Sequence, residues 1–280
     1  MPAPFLWAWP LSGLFLAAWV LTAAAGSVQA VKTRPGFEPV RIDLAAWQAA
    51  FPKPAAKGTT RVLLIGNSFT FEHDLPAMLR GLAASAGFSL ETAMVAVGGA
   101  RLAEHAGNRD LLDVLSTIAW TDVVLQDFST AALSEAHRQR SHAAVAHLAQ
   151  PAQEGGGRVH LFATWPRQAG HILYGTGGPA TPDDMNAQVA EYYRSLAAAA
   201  RAGVAPVGTV WRAVERQHPD IALYRSDRYH ASPAGTYLAA LVILSRLAPV
   251  AFRTADFTPA LLDPGTARRL RVAVRGALAK

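Results

Sequence analysis

The sequence predicts an α/β protein in which a doubly wound, mainly parallel five-stranded sheet lies between two layers of helices. Three observations carry this. Five short runs are almost wholly apolar, each too apolar for a half-exposed strand. Stretches with apolar residues at helical spacing alternate with them. Of the 280 residues, 51% are hydrophobic and only 16% charged, enough to fill a large core and incompatible with disorder.

Taken in order, residues 1–30 carry no charged side chain, and Leu11 to Ala25 form an apolar run. Val28-Gln29-Ala30 reads as a small-residue cleavage site before the first charge, Lys32, so 1–30 is expected to be a signal peptide. The alternative is an uncleaved N-terminal anchor facing outside. Both place the rest outside the cytoplasm, periplasmic or secreted, with no stable membrane insertion if the signal is removed. Residues 31–60, with Pro35, Pro39, Pro52 and Pro54, are expected to be a linker wrapping the surface, and 61–280 one domain.

The expected strands are Arg61–Gly66, Thr92–Val97, Asp122–Gln126, Val159–Thr164 and Val204–Val207. Helical spacing marks Leu75–Ala86, Leu111–Ile118, Ala132–Gln150 and Asp183–Ala202. Thr181-Pro182-Asp183-Asp184 is a strong helix start: an N-cap hydroxyl, proline at the first turn, and acids over the positive end. Ser232-Pro233 opens another helix, expected to run to about Leu247. The basic cluster Arg268, Arg269, Arg271, Arg275 and Lys280 is the solvated face of a last helix.

Composition excludes several chemistries. The chain has no cysteine, so disulfides, thiolate nucleophiles and Cys-ligated metals are out. With 26 Lys+Arg against 20 Asp+Glu, the positive charge is spread thinly, without the basic, aromatic-interleaved patch of a nucleic-acid binder. His137, His142 and His147 are five apart, so on a helix each is turned ~140° from the last and they cannot share a metal. No metal or organic cofactor is expected.

Two strings carry candidate chemistry. Gly66-Asn67-Ser68-Phe69-Thr70 ends the first predicted strand, and a serine there sits where backbone N–H groups converge. It reads as a nucleophile, a phosphate cradle or a turn serine. Near the C-terminus, Asp227 and His230 stand three positions apart just before a helix. A short loop can then set the carboxylate against one imidazole nitrogen and free the other.

Together these strings resemble the SGNH/GDSL hydrolase family, with GNS where that family has GDS, and DRYH for its D-x-x-H. Val97-Gly98-Gly99-Ala100-Arg101 follows the second strand and Leu125-Gln126-Asp127-Phe128-Ser129 the third, in the family's block order. Gln126 stands where the family has Asn, as in a divergent branch. The resemblance covers roughly 61–247. It implies a three-layer, flavodoxin-like α/β/α fold and an exported esterase or deacetylase cleaving an O-acetyl or short acyl ester. Ser68 would attack, His230 would shuttle the proton and Asp227 would orient His230. The N–H groups of Ser68 and Gly99 (or Gly98) and the Gln126 amide would hold the oxyanion.

Asn67, His73 and Trp165 are further candidates for touching substrate, and Gly170 to Pro182 for a lid. The expected partner is a small-molecule, glycan or lipid ester. Two other readings stand beside this one: a non-catalytic ligand- or glycan-binding protein on the same fold, and a metal-dependent hydrolase built on Asp227, His230 and His73.

Overall fold

The computed structural model describes residues 27–33, 39–175 and 177–279. The apolar leader to Ala25 lies outside them. Along the chain, β1 (Ser27–Lys32) and α1 (Leu44–Ala50) precede β2 (Thr60–Gly66). A short helix α2 (Ser68–Phe71), a 3-10 turn and α3 (Leu75–Ser85) lead to β3 (Leu90–Val97). Helices α4 (Leu102–Ala106) and α5 (Arg109–Thr117) precede β4 (Asp122–Leu125), and α6 (Glu135–Glu154) precedes β5 (Arg158–Phe162). After α7 (Pro182–Ala200) and β6 (Gly203–Ala205) come α8 (Val207–Gln217), α9 (Pro233–Leu247), α10 (Pro249–Thr254) and α11 (Pro264–Leu278).

The six strands form one parallel sheet in the order β1-β3-β2-β4-β5-β6. Five of them are the predicted apolar runs. Their apolarity follows from burial on both faces: Val62 and Leu64 enter one core layer, Leu63 and Ile65 the other. The first layer lies under α3, α8, α9 and α11, the second under α1, α5, α6 and α7. Each such Leu, Val or Ile contributes roughly 1.5–3 kcal/mol by leaving water.

The N-terminal region departs from expectation. Ser27–Lys32 is a sixth strand, paired in register with Thr92–Val97, so the cleavage site read at Val28-Gln29-Ala30 lies within the sheet edge. The supposed linker also joins the core. Trp47 and Phe51 are 1% exposed and meet Trp120 edge-on. Pro39, Pro52 and Pro54 flank a short helix whose apolar face packs into the core. The last strand stops at Ala205, and Val207 begins α8.

Chain order decides where a site can form. From β2 the chain moves outward to β3, then crosses to β4 on β2's other side. The crevice beyond the carboxyl ends of β2 and β4 is the topological switch point, the usual ligand position in open α/β sheets.

Candidate active site

That crevice holds a cleft of about 440 Å³, and its walls include Ser68, Gly98, Gly99, Phe128, Arg167 and His230. Ser68 is the first residue of α2. The Asn67 side chain caps that helix by accepting the Phe69 N–H at 3.1 Å, and it donates to the Ala100 carbonyl at 2.9 Å. Asn67 thus reaches the cleft wall with its amide committed to holding two strand-end loops together.

Ser68 Oγ lies 3.0 Å from His230 Nε2, and His230 Nδ1 lies 2.8 Å from Asp227 Oδ2. Since an ionised carboxylate only accepts, Nδ1 carries the proton and Nε2 is left to accept the Ser68 hydroxyl. The other oxygen, Asp227 Oδ1, accepts the N–H groups of Tyr229 and His230 at 3.0 and 2.9 Å. The loop is anchored from behind: Trp165 Nε1 donates to the Tyr229 carbonyl, and Gln168 N–H to that of Arg228. Phe69 packs edge-on against the His230 ring and face to face on Trp165, which in turn stacks on Trp211.

Two residues of the cleft wall, Ser68 and Gly99, carry backbone N–H groups without a hydrogen-bond partner among the described residues. As the first helical residue, Ser68 has no intrahelical acceptor for its N–H, and that N–H has no partner among the described residues. Gly98 donates to the Lys32 carbonyl of β1 at 2.8 Å, which leaves Gly99 as the glycine with an uncommitted N–H. Gly99 adopts φ +71°, a left-handed conformation that glycine takes without strain.

Gln126 is placed differently from its expected role. It is 1% exposed and is absent from the cleft wall. Its Oε1 accepts the Asn67 N–H at 2.9 Å and the Thr70 hydroxyl at 2.8 Å, while its Nε2 donates to the Asp127 carbonyl. The longer arm carries the amide beneath the Asn67–Thr70 turn, where it supports Ser68 from behind. Trp165 is fully buried in the aromatic stack and also stands outside the cleft. His73 is also absent from the cleft wall; its Nδ1 meets the Thr236 hydroxyl at 2.9 Å, and burial pulls its pKa down. No cluster of three metal-ligating side chains occurs among the described residues.

Several cleft residues had no sequence signal of their own. Glu72 lies one helical turn after Ser68. Its Oε1 pairs with Arg225 at 3.0 Å and approaches His230 Nε2 to 3.9 Å. Only its i+4 spacing from the serine could have pointed to it. Arg167 arrives from the loop after β5, while Ser129 and Tyr229 lie inside the quoted strings without a role of their own there.

This geometry is found on a chain that shares 32% identity with a protein from Slackia heliotrinireducens assigned as an SGNH hydrolase. The match covers 68% of this chain and 99% of that one, with a TM-score of 0.57. The chain belongs to the SGNH hydrolase family. Two more distant structures share the SGNH fold. A DUF4886 family protein from Bacteroides uniformis is 18% identical over 79% of this chain and 95% of its own, with a TM-score of 0.65. A catalytic mutant of an acetylxylan esterase from Geobacillus stearothermophilus is 12% identical over 68% and 95%, with a TM-score of 0.52. Comparison with family models gave no match, and neither did comparison with curated proteins.

Proposed function

We propose that this SGNH hydrolase is an exported serine esterase that removes an acetyl or short acyl group from an alcohol. The observation that carries the reading is the unbroken relay from Ser68 Oγ through the His230 ring to Asp227, at 3.0 and 2.8 Å. Ser68 Oγ attacks the ester carbonyl carbon as His230 Nε2 takes its proton. The carbonyl oxygen becomes an oxyanion held by the N–H groups of Ser68 and Gly99. The tetrahedral intermediate collapses, the alcohol leaves with the proton from His230, and Ser68 is left acylated. Water, deprotonated by the same imidazole, attacks the acyl carbon and releases the carboxylic acid and free serine. Asp227 orients the ring and stabilises it while charged.

A cleft of about 440 Å³ suits a small acyl group with part of its alcohol, which supports short esters over long lipid chains. The acetylxylan esterase on the same fold is consistent with an acetylated glycan or small-molecule ester as substrate. Export rests on the apolar leader ahead of β1.

The kinetic test uses short-chain aryl esters. Ser68→Ala should stay folded and lose at least ~10⁴-fold in kcat. Near-normal turnover by a clean Ser68→Ala preparation would refute the mechanism. A wild-type protein that binds acylated sugars yet hydrolyses no ester in a broad panel would instead be a binding module.

A further inference from the structure

We propose that Arg167 is a substrate-recognition residue that selects esters bearing an anionic group, a carboxylate or similar oxyanion, close to the scissile bond. The inference rests on the reading of the cleft as an ester-hydrolase site and names its substrate class.

Arg167 lines the same cleft as Ser68 and His230 yet is 7% exposed. Its Nη2 donates to the Ser129 hydroxyl at 2.9 Å, and its guanidinium carbon lies 4.6 Å from the centre of the Tyr229 ring. Nη1 is buried with no hydrogen-bond partner among the described residues. No carboxylate there forms an ion pair with this guanidinium. Glu72, the carboxylate in the cleft wall, is already paired with Arg225.

A buried cation without a counter-ion is costly. One neutral hydrogen bond and a cation–π contact offset part of that cost. Burial also pulls the guanidinium pKa down, though arginine stays charged at physiological pH. The remaining cost is recovered when an anion entering the cleft meets the guanidinium, through a short, charge-assisted hydrogen bond.

The residue is built to wait in this state. Its N–H donates to Met185 Sδ, and its carbonyl accepts the Tyr174 hydroxyl, so the backbone is fixed on both sides. The ring it lies over belongs to Tyr229, next to His230, so an anion on Arg167 is held against the catalytic loop. Such an anchor positions the ester by its non-reacting part.

The test compares 3-acetoxybenzoate with its neutral analogue 3-acetoxybenzamide, each rate divided by that of hydroxide-catalysed hydrolysis. The wild type should favour the benzoate by ~10-fold or more in kcat/KM, mainly through KM. Arg167→Met should remove the preference, and Arg167→Lys, which keeps the charge without the planar fork, should retain part of it. Binding is read separately on Ser68→Ala protein, where benzoate should raise the melting temperature more than benzamide does.

Equal handling of the two esters by the wild type, or equal losses on both in Arg167→Met, would overturn the proposal. The second result would give Arg167 to the oxyanion or to the Tyr229 loop. Benzoate-specific stabilisation without hydrolysis of either ester would sink the esterase reading and leave the anion site standing. Hydrolysis of both without preference would do the reverse.

Discussion

The carboxylate of Asp227 serves its own loop and the His230 ring at once. Desolvation opposes its charge, but hydrogen bonds from the Tyr229 N–H, the His230 ring and the His230 N–H outweigh it and hold its pKa below the usual carboxylate range. Such a group adds stability that is fully present above the unfolded carboxylate value, ~4, and lost as pH falls through the lower folded value. Wild type should therefore unfold at a higher temperature than Asp227→Asn at pH 7, with the gap closing in acid below about pH 4. A gap independent of pH would deny the carboxylate this role. Activity of Asp227→Asn should drop by ~10²–10⁴-fold at neutral pH, because the amide favours the wrong tautomer. Gln126 calls for a different signature. Truncation to alanine strands the Asn67 N–H and the Thr70 hydroxyl in the interior. Gln126→Ala should lose about 1–3 kcal/mol of stability per stranded group in denaturant titrations. A fall in kcat with unchanged stability would restore the amide to the oxyanion hole.

At the scale of elements, the site depends on how closely β2, α2 and β4 approach. A Cβ on Gly66 would stand 2.2 Å from Thr70 Oγ1 and 2.5 Å from Gln126 Oε1. Gly66→Ala must push the Gln126 support away from the Asn67–Thr70 turn, at an expected cost of about 1–3 kcal/mol. It should also lower esterase turnover; a variant with unaltered stability and rate would show the contact to be slack. The edge strand gives a second prediction. Lys32 of β1 takes the Gly98 N–H and so leaves Gly99 to face the cleft. Cleavage after Ala30 would remove most of β1, so the export proposed above requires a cut before Ser27. N-terminal sequencing of exported protein should read a start at or before Ser27, and a start at Val31 would contradict this.

For the whole molecule, what could be read from sequence is what local patterning records. Arg61–Gly66 announces a strand because both its faces are buried, and Ser232-Pro233 announces a helix because its cap is local. The meeting of Ser68, Asp227 and His230 was legible because Ser68 directly follows a strand and the other two stand three apart shortly before a helix. β1 was hidden inside a small-residue stretch that also suits a peptidase, and Trp47 inside a proline-rich one. The role of Gln126 and the presence of Arg167 in the cleft depend on contacts across 59 and 38 residues of chain, and periodicity carries no trace of those. The account stands most directly on Ser68 being the activated nucleophile. The deciding measurement is intact-mass analysis and peptide mapping after incubation with a fluorophosphonate. One adduct on Ser68, absent from Ser68→Ala and slowed in Asp227→Asn, is the predicted result. An unlabelled Ser68 in a preparation that still hydrolyses esters, or an adduct on another residue that abolishes activity, would contradict it.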